Sequence, residues 1–111
     1  MRLSSPKNIR KREEIDFLVD SGAFYTFVDG AVLKRLGIAP EDTRNFLLAN
    51  GDEIKRKIGI ARFEYQKHRG GAPVVFGEPG DENLLGATAL EALGFMLNPV
   101  KRVIVPIDLR A

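Results

Sequence analysis

The sequence predicts one domain that is mostly β with two short helices. Runs of β-branched and aromatic residues recur along the chain between turn-forming Gly, Pro, Asn and Asp, a pattern typical of β-hairpins. The 111 residues are enough for one hydrophobic core, and the content of 44% hydrophobic and 29% charged residues is that of a globular domain. Because the chain has no Cys, we expect this core to form without disulfides.

The amino-terminal residues differ in composition from the rest of the chain. Residues 1–13 are polar and basic and include Pro6, so we expect a basic arm or a short edge strand there. A single domain is expected over residues 14–111. The net charge is only +2, and no aromatic residues are interleaved with the basic clusters, so solvated charges explain these clusters better than a nucleic-acid partner does.

The most informative stretch is the apolar run that ends on Asp20. Residues 15–19 place apolar side chains on both faces of a strand, which predicts a central strand of a sheet. The small residues Ser21-Gly22-Ala23 follow and suit a turn. Since burying an ionisable group costs free energy, an acid at the end of an apolar strand is a candidate catalytic group.

Apolar and turn patterns predict the remaining elements. Asp29 and Gly37 have the positions of an N-cap and a C′ residue, and Asn50-Gly51 predicts a type I′ hairpin turn. Gly70-Gly71 predicts a further turn. We expect helices over about 30–36 and 87–93, and strands over 24–28, 46–48, 54–65, 74–76, 84–85, 95–97 and 103–106.

Asp20 has two interpretations from the residues alone. A carboxylate can act as a general base, but hydrolysis of an amide also needs an acid, and two carboxylates that share one proton supply both. The sequence contains no second Asp-Ser-Gly, so such a pair would need two copies of the chain on a twofold axis. Alternatively, Asp20 caps a local turn, as Asp often does.

Other kinds of site have little material. His68 is the single His and lies in a charged turn, and without Cys neither a zinc site nor a Ser-His triad is well supplied. No apolar run approaches the length of a membrane span, and the first residues lack the apolar core of a signal peptide. We expect no membrane partner and a cytoplasmic location.

Taken in order, these motifs resemble those of the retropepsin-like aspartic proteases of the small, single-domain prokaryotic type. The resemblance extends from about Ile15 to Pro106 and implies an acid-protease fold, a closed β-barrel with a flap hairpin and one or two short helices. The motifs that carry it are Val19-Asp20-Ser21-Gly22-Ala23, Thr26, Ala49-Asn50-Gly51, Leu84-Leu85-Gly86 and Asn98-Pro99.

The resemblance also implies an activity and a set of site residues. It implies an aspartic endopeptidase that works as a homodimer on a peptide or unfolded protein, with no metal or organic cofactor. The implied catalytic residues are Asp20, Ser21 and Gly22, with Asp20 as the carboxylate that pairs with Asp20 of the second copy. The implied substrate-binding residues are Ala23, Phe24, Ala49, Asn50, Gly51, Leu85 and Gly86.

Two departures from the family pattern motivate an alternative. Phe24 stands where the family commonly has a small or hydroxyl residue, and residues 1–13 offer poor material for the strand pair that usually precedes the Asp strand. The alternative is a non-catalytic peptide-binding or dimerisation module with the same fold.

Overall fold

The part of the chain that the structure describes is built from ten strands and two short helices. The computed structural model describes residues 1–20, 22–48, 50–98, 100–101 and 103–107, so Ser21, Ala49 and Pro99 lie outside the described residues. The elements in chain order are β1 Arg2–Ser5, β2 Asn8–Glu14, β3 Leu18–Val19, β4 Thr26–Asp29, α1 Gly30–Arg35, β5 Asp42–Leu47, β6 Glu53–Tyr65, β7 His68–Gly77, β8 Leu84–Leu85, α2 Ala87–Ala92, β9 Phe95–Asn98 and β10 Val103–Pro106.

The described strands form an eight-stranded sheet and a two-stranded sheet. In the larger sheet the neighbouring strands follow the order β2-β1-β6-β7-β4-β8-β3, and β5 pairs with β6 beside this path. The smaller sheet is the predicted carboxyl-terminal hairpin of β9 and β10. The predicted mostly β class with two short helices is therefore confirmed, and closure into a barrel stays a prediction.

Strand β6 joins the hairpin to the core of the sheet. It pairs with β5 from Glu53 to Ile58 and with β7 from Ile58 to Tyr65. The β5–β6 hairpin is thus a direct extension of an interior strand, which aligns it with the rest of the sheet. The turn between β6 and β7 lies at Gln66 and Lys67, so the prediction of a turn at Gly70-Gly71 is wrong. Both glycines belong to β7 and pair with β6.

The amino-terminal residues form a strand pair. Residues 1–13, for which the sequence favoured an arm or a short edge strand, make β1 and most of β2. Leu3 is fully buried and lies opposite Phe63 of β6, which holds β1 inside the sheet. The charged strand β2 lies at the edge of the sheet, where basic side chains are tolerated because they face water.

Strand β3, which leads to Asp20, differs from its prediction. It has two residues, pairs in parallel with β8 and ends the sheet path, so the prediction of a central strand is wrong for the single chain. The side chain of Leu18 is 56% exposed, whereas Phe17 and Val19 pack against the core. Leu18 is therefore an uncovered apolar side chain between the exposed acids Asp16 and Asp20.

Helix α1 follows the predicted start and stop signals. The Asp29 side chain accepts a hydrogen bond from the N–H of Ala31 (2.9 Å), and Gly37 has φ +78° just beyond the helix. Strand β4 begins at Thr26 and not at Phe24, because the carbonyl of Phe24 is bound by the first turn of α2.

The β5–β6 hairpin is confirmed, but its turn is not type I′. A type I′ turn needs positive φ at both Asn50 and Gly51, and of these two only Gly51 has it (φ +90°). The Gly51 N–H donates to the carbonyl of Leu48 (3.0 Å), and the N–H of Asp52 donates to the Asn50 side chain (2.9 Å). This side-chain bond competes with the backbone geometry that the Asn-Gly pair predicts.

The hydrophobic core lies between the larger sheet and the two helices. Its fully or almost fully buried members include Leu3, Leu33, Leu36, Phe63, Val74, Leu85, Leu90 and Leu93. Within the described residues, neither helix is long and apolar enough to cross a membrane.

Candidate active site

Asp20 lies immediately after β3, at the start of a tight turn. Its Oδ1 accepts a hydrogen bond from the N–H of Gly22 (2.9 Å), and its carbonyl accepts one from the N–H of Ala23 (3.1 Å). The side chain is exposed in the single chain, not buried as an acid at the end of a central strand would be. Its Oδ2 accepts no hydrogen bond from the residues that the structure describes.

The first turn of α2 holds the loop that follows Asp20. The N–H of Ala87 donates to the carbonyl of Ala23 (3.0 Å), and the N–H of Thr88 donates to the carbonyl of Phe24 (3.0 Å). The Thr88 hydroxyl donates to the same Phe24 carbonyl (2.9 Å). The first N–H groups of a helix have no partner within the helix. These bonds therefore satisfy the first N–H groups of α2 and also hold the loop in place.

Gly86 allows β8 to approach this loop closely. A Cβ at this position would collide with the backbone of Tyr25 and Phe24, so only Gly fits. The Gly86 N–H donates to the fully buried Oγ1 of Thr26 (2.9 Å). The structure therefore brings Gly86 and the predicted residues Ala23 and Phe24 together, whereas the side chain of Leu85 is buried in the core.

Asp20 also borders a cavity that sequence reasoning did not identify. The cavity has a volume of about 360 Å³ and lies between α2 and β9. Its lining consists of Asp20, Ala87, Leu90, Glu91, Phe95, Met96 and Leu97. The sequence signal that could have indicated this cavity is the run of apolar residues in β9. In the structure, Met96 of this run is 48% exposed, although its neighbours Phe95 and Leu97 pack on the core.

The β5–β6 hairpin meets the Asp20 loop at its base. The Phe46 ring of β5 lies 5.5 Å from the ring of Tyr25 and 5.6 Å from that of Phe27. At the tip, Asn50 and Gly51 are exposed, and no hydrogen bond joins them to the Asp20 loop within the described residues. The contact between hairpin and loop therefore runs through Phe46.

An ion pair fixes the other arm of the hairpin. The Arg56 Nε lies 2.9 Å from Oδ2 of Asp81, which also accepts the N–H of Glu78 (2.8 Å). The hydrogen bond from Arg56 lowers the pKa of the Asp81 carboxyl, and partial burial opposes this shift. Two residues on, the Asn83 carbonyl accepts the N–H of Leu18 (2.9 Å), so the loop that binds Arg56 also binds β3.

The described residues offer no ready metal centre. No group of three or more His, Asp or Glu side chains among them is placed to hold a metal ion. Asp20 itself is an exposed carboxylate, held at Oδ1 by the Gly22 N–H, at the border of a largely apolar cavity.

A family model for aspartyl proteases matches residues 6–89, which is most of the chain. The chain belongs to the aspartyl protease family. The matched range of this aspartyl protease family member includes Asp20, the hairpin and Gly86, and it ends within α2. Neither the comparison with curated proteins nor the comparison with solved structures gave a match.

Membership of the aspartyl protease family confirms the retropepsin-like resemblance. The roles of the individual residues stay predictions, and two of them, Ser21 and Ala49, lie outside the described residues.

Proposed function

We propose that this aspartyl protease family member is an endopeptidase whose active unit is a homodimer with one Asp20 from each copy. The observation that carries the proposal is the placement of Asp20. It is the exposed acid of an Asp-Ser-Gly motif, on a loop that α2 fixes by backbone hydrogen bonds, in a chain matched by the aspartyl protease family model.

A pair of acids requires a second copy. One chain supplies one Asp-Ser-Gly motif, and the exposed side chain of Asp20 is accessible to another molecule. Strand β3 ends the sheet path, so the edge next to Asp20 is also open to a neighbour. On a twofold axis both copies would present the same loop.

The proposed reaction uses one proton shared by the pair. The ionised Asp20 takes a proton from water while the water oxygen attacks the scissile carbonyl carbon, and the protonated Asp20 gives its proton to the carbonyl oxygen. A hydroxyl of the resulting diol then gives its proton back to the Asp20 that protonated the carbonyl oxygen. The Asp20 that took the proton from water protonates the amide nitrogen, and the C–N bond breaks. The pair then again shares one proton.

The remaining site residues support this chemistry. The Gly22 N–H holds Oδ1 of Asp20, which orients the carboxylate. Ser21 is proposed to bond across the pair, as the resemblance implies. The β5–β6 hairpin is proposed to act as a flap over an extended peptide, which would exclude water from the reacting groups.

Replacement of Asp20 tests this proposal. Asp20→Asn keeps the size of the side chain but cannot share a proton, so kcat/KM on a peptide library should fall by at least roughly a thousandfold. Asp16→Asn is the matched control, because it removes an exposed acid from the same stretch. Assays should cover acidic and neutral pH, because the pair is active only over the pH range in which one of its two carboxyls is protonated and the other is ionised. Equal turnover by Asp20→Asn and Asp16→Asn would contradict the proposal.

One observation favours a second candidate, a non-catalytic peptide-binding or dimerisation module. The bond from the Gly22 N–H to Oδ1 gives Asp20 a structural role as a turn cap that needs no catalysis. This candidate predicts peptide binding that survives Asp20→Ala, with no cleavage at any pH. Cleavage by the wild type that Asp20→Asn abolishes would exclude it.

The cytoplasmic location stays a prediction.

A further inference from the structure

Four arginines from four neighbouring strands lie on one face of the larger sheet. Arg2 of β1 pairs with Glu64 of β6, which pairs in turn with Arg69 of β7, so these side chains point to the same face. Arg62 lies on that face as well, two residues before Glu64. Nη1 of Arg12, on β2, lies 3.6 Å from Oε2 of Glu64. We name Arg2, Arg12, Arg62 and Arg69 the arginine face.

The core and α2 cover the opposite face of these strands. Leu3 and Phe63, which alternate with the arginines along β1 and β6, are fully buried. A Cβ at Gly70 would collide with the backbone of Ala92, because the end of α2 passes over β7 there. On the side of the arginines, Gly71 is exposed, and a Cβ there would meet no atom closer than 3.9 Å apart from its chain neighbours. The arginine face is therefore open to solvent.

The positive charge of the arginine face is not balanced within the described residues. The two acids that lie among the arginines, Glu14 and Glu64, each form an ion pair with one arginine, at 3.7 and 3.6 Å. Arg62 and Arg69 form no ion pair with any residue that the structure describes. The rest of the chain contains equal numbers of basic and acidic residues, so the formal net charge of +2 is that of this face and its two acids.

Strand β2 leaves a backbone edge open beside the arginine face. It is the terminal strand of the sheet path, it pairs only with β1 among the described strands, and all but one of its residues are exposed. The N–H and C=O groups along a free edge can bind an extended segment as a further strand. Because side chains alternate between the two faces of a strand, every second side chain of such a segment would lie beside Arg12.

Carboxylates are the groups that complement this surface. A guanidinium binds a carboxylate through two parallel hydrogen bonds, and Arg62 and Arg69 are available for such bonds. A second copy of the chain would bring the same surplus of positive charge and is disfavoured by repulsion. Charges that only protect an edge from aggregation would be needed on β2 alone, whereas these continue across the sheet to β7.

The surface lacks the aromatic rings on which single-stranded nucleic acid stacks its bases. The two aromatic residues of β6 lie elsewhere: Phe63 is fully buried, and the ring of Tyr65 packs 5.6 Å from that of Phe95. The carboxylate of Glu64, placed among the arginines, would also repel a continuous row of phosphates. An acidic polypeptide therefore fits this surface better than a nucleic acid does.

We propose that β2 and the arginine face bind an extended acidic segment of another protein, which adds to β2 as a strand and directs every second side chain, Asp or Glu, toward the arginines. This docking surface is separate from the candidate active site, because β2 and β3 are at opposite ends of the sheet path. The inference is independent of the proposed protease activity and is tested by binding alone.

The test measures the affinity for labelled peptides by fluorescence anisotropy, in an Asp20→Asn background in which we expect no cleavage. A peptide that alternates Glu with Thr should bind, more weakly as salt is raised, and one that alternates Lys with Thr should not. Arg62→Gln/Arg69→Gln should weaken binding of the Glu peptide about tenfold. Lys55→Gln/Lys57→Gln is the matched control, since it removes the same charge from exposed residues of β6 in the hairpin, and should preserve the affinity.

Arg62→Lys/Arg69→Lys separates loss of charge from loss of the fold. It keeps both positive charges and should retain most of the affinity that the Gln variant loses. No binding of the Glu peptide at low salt, or equal weakening in the Gln variant and the hairpin control, would overturn the proposal. So would tighter binding of an RNA oligonucleotide of equal charge, or a Gln variant that is monomeric while the wild type is dimeric.

Methylated peptides test the strand geometry separately from charge. Successive N–H groups of a strand point to opposite edges, so only every second amide of the bound peptide would face β2. Methylation of either the Glu amides or the Thr amides gives two peptides of equal charge, and one should bind at least about tenfold more weakly than the other. Equal affinities for these two peptides would overturn the proposed addition to β2.

Discussion

At the scale of single residues, Thr26 connects the core to the candidate site. Its side chain is fully buried, and its Oγ1 accepts the N–H of Gly86. Gly86 in turn lies against the backbone of the loop that follows Asp20. The position of the loop therefore depends on one buried hydrogen bond as well as on the bonds from α2.

Thr26→Val should destabilise the protein, because it leaves the buried N–H of Gly86 without a partner. We expect the free energy of unfolding to fall by about 1–3 kcal/mol, measured by urea denaturation. Thr88→Val is the matched control, since it removes a less buried hydroxyl while the backbone bond from Thr88 to Phe24 remains. Equal losses in the two variants would contradict this account of Thr26.

The sequence predicted individual residues well where the cause is local. The Asp29 cap and the position of Gly37 follow from the residues themselves, and both are confirmed. The prediction of a type I′ turn at Asn50-Gly51 was wrong because the hydrogen bond from the Asp52 N–H to the Asn50 side chain outweighs the preference of Asn-Gly for that turn. The exposure of Asp20 could not be predicted, since it depends on which strand covers β3.

At the scale of elements, the hairpin depends on the ion pair between β6 and the loop that follows β7. The side chains of Arg56 and Asp81 are 13% and 24% exposed, so this pair is more shielded from water than the other side-chain ion pairs of the described residues. Because the Asn83 carbonyl binds Leu18, the same loop connects the hairpin to the strand that precedes Asp20.

The lowered pKa of Asp81 predicts a pH-dependent contribution to stability. A carboxyl whose pKa is lower in the folded state stabilises the fold above its ordinary value of 3.8, and the contribution is lost as pH falls through the lowered pKa. Asp81→Asn should therefore be less stable than the wild type at neutral pH, and the difference should shrink as pH falls below 3.8. Urea denaturation across pH measures this difference.

Asp42→Asn is the control for Asp81→Asn. The Asp42 side chain is 61% exposed and lies 3.5 Å from Arg44, so its loss should change stability little at neutral pH. A stability difference for Asp81→Asn that stays constant from neutral pH down through the acid range would contradict the proposed role of the ion pair.

The sequence did not predict several elements, because these elements are stabilised by contacts with neighbouring strands and with the core. β1 and the charged β2 were not expected to form a full strand pair, yet Leu3 of β1 packs into the core and β2 occupies an edge where charges face water. The turn expected at Gly70-Gly71 gave way to one at Gln66, because β7 pairs with β6 as far as His68.

At the scale of the whole molecule, the proposed function requires a surface that the single chain leaves open. β3 ends the sheet path, Leu18 is half exposed, and Asp20 borders the cavity between α2 and β9. The sequence could indicate the acid and its family, but the arrangement of two copies depends on contacts between molecules that no pattern within one chain specifies.

A dimeric site predicts that activity depends on protein concentration. Dilution below the dissociation constant of the dimer should lower the specific activity, because a separated chain has one Asp20. Sedimentation and turnover should change over the same concentration range. Constant specific activity while the dimer dissociates would contradict a shared site.

The most direct test mixes wild type with Asp20→Asn in equal amounts under conditions that exchange subunits. If each active unit needs Asp20 from two copies, random pairing leaves about one quarter of the dimers competent, so activity should fall to about one quarter of that of the same total concentration of wild type. A mixture of wild type with Asp16→Asn should keep full activity. Activity of about one half in the mixture with Asp20→Asn would show that each chain works alone and would contradict the account.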